Sequence, residues 1–253
     1  MSPITEEGIL LRAHPYSETS RILRILTPNH GVLSGLARGV RRRSSRGQSA
    51  LDTFCDLTIV VRIRPERELQ TLREVEVIRA RRGIGRDAER FAGASLVTEL
   101  LLAHTLQAAG LPLFDFVRGA LDRIEAGGRG AAGAEAIAAG WRILGEAGFL
   151  PELENCVRCG AELPPEGLLR FSASGGGIHC ATCGVGGAGP RLGPGARADL
   201  QVLVRGRPPR SLRGAAAHLG LLEGFALRHF SPNRPLRSPG LLRPFLEASD
   251  GHA

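Results

Sequence analysis

Leu57-Thr58-Ile59-Val60-Val61-Arg62-Ile63, then Arg64-Pro65-Glu66-Arg67, then a second apolar run from Leu69, is the stretch on which the fold of this chain turns. Leu57, Ile59, Val61 and Ile63 alternate with Thr58, Val60 and Arg62, the period of a strand with one buried face. The proline-containing turn after it separates two strands. Working outward, Glu7–Ala13, Arg21–Thr27, Gly31–Ala37, Leu51–Ile63 and Leu69–Arg79 are all short runs rich in Ile, Leu and Val. His14-Pro15-Tyr16-Ser17 and Pro28-Asn29-His30-Gly31 are the turns between the first three. Five strands, with a longer break between the third and fourth, predict a small Greek-key barrel of OB type; an SH3-like barrel is the alternative.

From residue 87 the period changes to that of a helix: Val97, Leu100, Leu101, His104 and Ala108 fall on one face. Helices are predicted over 87–110, 113–126 and 134–147, with Ala126-Gly127-Gly128-Arg129-Gly130 as a connection. Near the C-terminus Leu212, Ala215, Ala216, Leu219, Leu222, Ala226 and Phe230 form a further apolar stripe. The chain therefore reads as α+β: a five-stranded OB-type β-barrel over 1–80, then an all-α domain over 81–150 and 188–253 with a four-cysteine zinc module inserted at 151–187. A Gly/Pro-rich link, Gly184 to Gly195, follows the module. Phe91 to Phe114 is largely apolar but holds Glu99, His104, Gln107 and Pro112. A mid-span acid costs about 2.5–3.5 kcal/mol in a bilayer, so a buried helix is predicted and no membrane partner. The start has no basic region followed by an apolar one, so a cytoplasmic location is expected.

Cys156-x2-Cys159 and Cys180-x2-Cys183 carry the clearest chemistry. Thiolates two residues apart on a tight knuckle can grip one ion, and two knuckles complete the closed tetrahedral shell of structural zinc. Two disulfides, or four unrelated core cysteines, are the other readings; a reducing compartment and the regular spacing favour one structural Zn2+. With four sulfur ligands no position is left for an activated water. Gly160 and Gly184 follow the two pairs, where a knuckle often requires an unusual backbone angle. His179 adjoins Cys180 as a bystander, while His104, Cys55 and Trp141 read as core residues.

The chain has no lysine: all 33 basic residues are arginine, which excludes a P-loop lysine and a Schiff base. The net charge is +8 and the pI near 10.6, pointing to a polyanionic partner. The charge is segregated, +6 over 1–85, −2 over 86–150 and +4 over 151–253. Its densest run is Arg38-Gly39-Val40-Arg41-Arg42-Arg43-Ser44-Ser45-Arg46, with no acid in it. The usual binding face of an OB barrel here offers Tyr16, Arg21, Arg24, Arg64 and Arg67. Arg21, Arg24, Arg38, Arg41, Arg42, Arg43 and Arg46 are thus the candidate DNA contacts, gripping phosphates in bidentate forks without reading bases. Residues 1–85 contain only two aromatics, Tyr16 and Phe54, so stacking cannot dominate. Binding to single- and double-stranded DNA with steep salt dependence is expected. No His-Glu-x-x-His, His-x-Glu, Gly-x-Ser-x-Gly elbow or Gly-x-Gly-x-x-Gly turn after a strand is present, so no catalysis is expected. A zinc-ribbon RNA-binding or ribosome-associated protein is the main alternative, and a nuclease built from distant carboxylates the enzymatic one.

The order of motifs resembles the bacterial recombination mediator family RecO. Tyr16-Ser17-Glu18-Thr19-Ser20-Arg21 leads through a strand ending in Thr27 to Gly31, then to Ala37-Arg38-Gly39-Val40-Arg41-Arg42. Helices and the cysteine pairs follow, as in zinc-containing members, and Arg228-His229-Phe230-x3-Arg234-Pro235-Leu236-Arg237-Ser238 looks like the family's C-terminal signature. Phe230-Ser231-Pro232-Asn233 departs from the shorter leucine-glycine turn of many members. The resemblance implies a non-catalytic, nucleoid-associated DNA-repair protein that anneals complementary strands. It further implies work with RecR to help RecA replace single-strand binding protein (SSB), whose acidic C-terminal tail it can contact. Arg21, Arg38, Arg41, Arg42 and Arg43 are the matched DNA-contact positions, and the four cysteines the matched ligands.

Overall fold

The computed structural model describes residues 2–38, 52–103, 110–128, 130–232 and 234–251. Those residues divide into two compact units, 1–86 with 105–125, and 87–104 with 126–253.

The first unit is built on five strands: β1 (Ile4–Pro15), β2 (Ser20–Thr27), β3 (Gly31–Arg38), β4 (Asp56–Val61) and β5 (Leu69–Arg79). They close in the order β1-β2-β3-β5-β4, antiparallel except where β3 and β5 run parallel, which is the OB arrangement. Closure leaves no unpaired edge. Leu10, Leu23, Ile25, Leu33, Leu57, Ile59, Val61 and Leu72 fill the interior. The alternation read over 57–63 holds for the barrel wall at Leu57, Ile59 and Val61, whose side chains are in the core, while the strand itself ends at Val61. At Gly35 a Cβ would come within 2.6 Å of the Leu72 side chain, so only glycine lets β3 and β5 approach at the parallel seam.

The run Leu51–Ile63 is not one strand. Phe54 has φ 74°, the one positive value outside glycine among the described residues, and a left-handed residue cannot continue a strand. Its N–H donates to the Leu10 carbonyl at 2.7 Å, seating the turn against the bulge of β1. Buried Cys55 lines the core beside it, and burial pushes its thiol up to about 12.

Helices α1 (Arg82–Gly85) and α3 (Leu111–Ala126) complete this unit. Arg81, whose side chain is sealed from solvent, joins α3 to the barrel. It donates to Asp56 through Nη1 at 2.7 Å and Nη2 at 3.1 Å, to the Phe54 carbonyl at 2.6 Å, and to Asp122 on α3 at 2.7 Å. Despite burial, these carboxylates keep its pKa above the ordinary value. Arg79 adds a 2.9 Å pair to Asp122, and the Gly83 N–H donates to Glu125.

The second unit packs α2 (Ala88–Ala103), α4 (Ala131–Glu146), α6 (Ala215–Phe225) and α7 (Ser238–Asp250) together, with α5 (Pro194–Leu203) against α4. Val97, Leu100 and Leu101 lie on the buried face of α2, whereas His104 and Ala108 fall outside the described residues. Small residues permit close helix approach: a Cβ at Gly140 would lie 2.6 Å from Leu222. Trp141 is fully buried, its ring centroid 5.3 Å from that of Phe225. The C-terminal stripe is not one regular helix, because α6 passes into a π-helical turn at Ala226–Phe230. A three-stranded sheet, β7-β6-β8, made of β6 (Leu169–Ser172), β7 (Gly177–His179) and β8 (Arg191–Leu192), carries the cysteine module. The Gly/Pro-rich link therefore contains a strand, β8, which pairs with β6.

No described helix is long and apolar enough to cross a membrane.

Candidate nucleic-acid interface and cysteine cluster

Strand alternation fixes where the barrel arginines point. Arg24 lies between core residues Leu23 and Ile25, so it faces outward, directly opposite Arg12 of β1. Like charges across a strand pair repel, and neither guanidinium has a carboxylate partner among the described residues. Arg24 Nε is buried with no hydrogen-bond partner. Arg38 shares the outer face, four residues beyond Ser34, which pairs with Arg24. Arg21 has the parity of Leu23 and Ile25 and sits at the barrel mouth, opposite Ala37. The structure therefore places Arg12, Arg24 and Arg38 on one surface and Arg21 at its rim. Arg41, Arg42, Arg43 and Arg46 lie outside the described residues.

Around the β4–β5 turn, Arg62, Arg64, Arg67, Gln70, Thr71 and Arg73 line a depression of about 200 Å³. Ala37 pairs with Leu72 across β3 and β5, so Arg38 and Arg73 come next on neighbouring strands. Sequence reasoning named Arg64 and Arg67 as part of the usual face but missed Arg12, Arg62 and Arg73. Arg62 was findable, being two residues from Arg64 in the segment that follows β4; Arg73 was not, because a bulge positions it. Tyr16 is exposed in the β1–β2 turn, while Phe54 is buried, leaving a single aromatic of the barrel open to a base.

In the second unit the four cysteine sulfurs lie within 4.8 Å of one another. Tetrahedral coordination with metal–sulfur bonds of about 2.3 Å sets sulfurs about 3.8 Å apart; Cys159 and Cys180 Sγ are 3.9 Å apart. All four are free thiols, so the disulfide reading is set aside. Each knuckle closes on its glycine, with Gly160 N–H donating to the Cys156 carbonyl at 2.8 Å and Gly184 N–H to that of Cys180 at 2.9 Å. Gly160 has the predicted positive φ, 74°. Gly184 does not: it is needed for space, since a Cβ there would lie 3.2 Å from the Arg170 side chain. Burial works against the Cys156 thiolate, yet N–H donors from Cys180, Cys159 and Arg158 hold its thiol below the usual range. Hydrogen bonds shared with the Cys180 and Cys159 side chains favour the protonated Cys183 and push its thiol up. Four converging sulfurs repel one another once ionised and a cation among them offsets this, so the donor set fits a metal ion. His179 is not part of the cluster. Arg170 braces the site, donating to the Gly184 and Gly189 carbonyls, so it is not an open cation.

A closed OB-type barrel followed by a helical unit with four clustered cysteines that could hold a metal ion defines the architectural class. Within that class the comparisons are specific. The profile of the recombination protein O N-terminal domain matches residues 1–81, and that of its C-terminal domain matches 85–208. DNA repair protein RecO of Anaeromyxobacter sp. (strain Fw109-5) is 37% identical over 193 residues, 75% of this chain and 72% of that one. DNA repair protein RecO of Geobacter metallireducens is 32% identical over 257 residues, 96% of this chain and 98% of that one. The chain belongs to the RecO family. The C-terminal segment 228–238 lies beyond both matched domains but within the range of the full-length Geobacter similarity.

Proposed function

We propose that this chain is a non-catalytic recombination mediator in DNA repair. It binds single- and double-stranded DNA through the barrel, anneals complementary strands and, with RecR, helps load RecA onto SSB-coated DNA. Membership of the RecO family supports the repair role. The observation that carries DNA binding is the outward Arg12–Arg24 pair, like charges held face to face without a carboxylate. A sheet tolerates that repulsion at a cost, and a phosphate backbone laid across it turns the cost into attraction. The cysteine cluster holds one structural Zn2+, which supplies folding energy and no reacting position.

Annealing requires two mutually repelling backbones to be drawn together. Outward guanidiniums neutralise phosphates on both strands, and with only Tyr16 available for stacking the bases stay free to pair. The test is DNA affinity measured by fluorescence anisotropy across salt concentrations, with matched single-stranded, duplex and RNA ligands. For the full chain, log affinity is expected to fall linearly with log salt. In the triple variant Arg12→Ala, Arg24→Ala, Arg38→Ala the single-strand slope should shrink by about 2, roughly 0.7 for each phosphate no longer neutralised. Strand annealing on SSB-coated DNA, with and without RecR, should drop in parallel. Affinity indifferent to salt, or RNA preferred over matched DNA, overturns the reading.

A further inference from the structure

We infer that the depression over the β4–β5 turn is a seat for the terminal phosphate monoester of a DNA strand. This rests on the DNA-binding reading above and adds a specific ligand group to it. Four arginines, Arg62, Arg64, Arg67 and Arg73, line a concavity of about 200 Å³ together with Thr71 and Gln70. No carboxylate is among the described lining residues; Glu66 and Glu68 belong to the same turn but do not line it. None of the four arginines has an ion-pair partner among the described residues.

The seat is formed by the protein's own contacts. Gln70 is 7% exposed and staples the turn from beneath. Its Oε1 accepts from Arg64 N–H at 2.9 Å, and its Nε2 donates to the Arg64 carbonyl at 2.9 Å and to the Arg67 carbonyl. That fixes the backbone of Arg64 and Arg67 before any ligand arrives, lowering the ordering cost of binding. On β5, Val60 pairs with Glu74 and Val61 with Leu72, so Arg73 is the extra residue of a bulge. Bulges re-aim a side chain, here toward the same hollow.

Charge and shape select the ligand. An internal phosphodiester carries one charge, two free oxygens and chain on both sides, which suits the open arginine surface of β1–β3. A terminal monoester carries about −1.5 to −2 at neutral pH and three acceptor oxygens. It is also a chain end, which a concavity can take. The seat continues the arginine surface through Arg38 and Arg73, so a strand lying on that surface can place its end there.

The experiment uses the full chain and one short single-stranded DNA sequence in three forms: 5′-phosphate, 3′-phosphate, and hydroxyl at both ends. Anisotropy at fixed salt is expected to show roughly tenfold tighter binding of one phosphorylated form than of the hydroxyl form. That gain should shrink below about pH 6, where the monoester dianion takes up a proton and keeps a single charge. The double variant Arg64→Ala, Arg67→Ala should lose the gain while still binding the hydroxyl form. Gln70→Leu, which keeps every arginine but frees the turn, should weaken the gain without changing the salt slope of the hydroxyl form. Equal, salt-sensitive affinity for all three forms overturns the seat and leaves the DNA-binding reading standing. No binding of any form overturns both. Stabilisation by inorganic phosphate in a thermal melt, with no gain from a strand end, overturns the assignment to DNA in favour of a small phosphate ligand.

Discussion

His218 is 2% exposed on α6, and its Nδ1 has no hydrogen-bond partner. Burial lowers its pKa from 6.5, with Asp199 and Asp250 pulling weakly the other way. The folded chain therefore favours the neutral ring, while the unfolded chain takes up a proton first as pH falls. The resulting stability is fully present above 6.5 and is lost as pH drops toward the folded value, at most about 1.4 kcal/mol per pH unit for one proton. Urea unfolding followed from about pH 7.5 to about pH 5.5 should show a falling midpoint, and His218→Leu should flatten that fall. An unchanged pH slope in the variant would falsify this account. Legibility at this scale was uneven. Cysteine spacing foretold the cluster because knuckle geometry is local, whereas the space that Gly184 supplies depends on Arg170 of β6, fourteen residues away.

Among the helices of the second unit, α4, α6 and α7 begin without a capping side chain of their own. Carboxylates from other helices do that work. Glu89 of α2 accepts from Gly130 and Gly133 N–H at the start of α4, and Asp250 of α7 from Ala215 and Ala216 at the start of α6. Glu99 of α2, the acid that argued against a membrane span, accepts from Arg237 N–H, Ser238 N–H and Ser238 Oγ at the start of α7. Each carboxylate also meets the positive end of the helix dipole. Glu99→Ala should lower stability by about 1–2 kcal/mol, and Glu99→Gln, which keeps an acceptor, should recover part of it. Equal losses in chemical denaturation for both variants would count against capping. This explains why helix starts were poorly legible: the predicted start at 134 lies three residues inside α4, whose capping acceptor is on α2. Strand existence was legible because alternation is local; the start of β4 was not, because Phe54 is held by Leu10 of another strand.

At the scale of the molecule, the chain divides into two compact units, and the cysteine cluster belongs to the second. Phe171 of the module packs on Phe225 of α6 at 6.4 Å between centroids, and His229 Nε2 meets the Ala173 carbonyl. Metal removal should therefore loosen the helical unit, not the arginine surface of the barrel. Trp141, the single tryptophan, is buried in that helical unit and reports on it selectively. A strong chelator should shift the Trp141 fluorescence transition to lower denaturant, while DNA affinity at low denaturant changes less than about twofold, well within 1 kcal/mol. Binding abolished with an unshifted tryptophan transition would show the opposite division of labour.

The five-strand barrel, the helical remainder, the cysteine cluster and the basic ends could all be read from the chain alone, because each is written in short-range period, spacing or charge. That α3 joins the barrel unit through Arg81 and Asp122, 41 residues apart, emerged only on folding. So did the placing of Arg12 against Arg24 and the gathering of Arg62, Arg64, Arg67 and Arg73 above Gln70. The cause is register: a bulge or a turn staple moves a side chain to another face, and what it then meets depends on closing the barrel, not on its sequence neighbours.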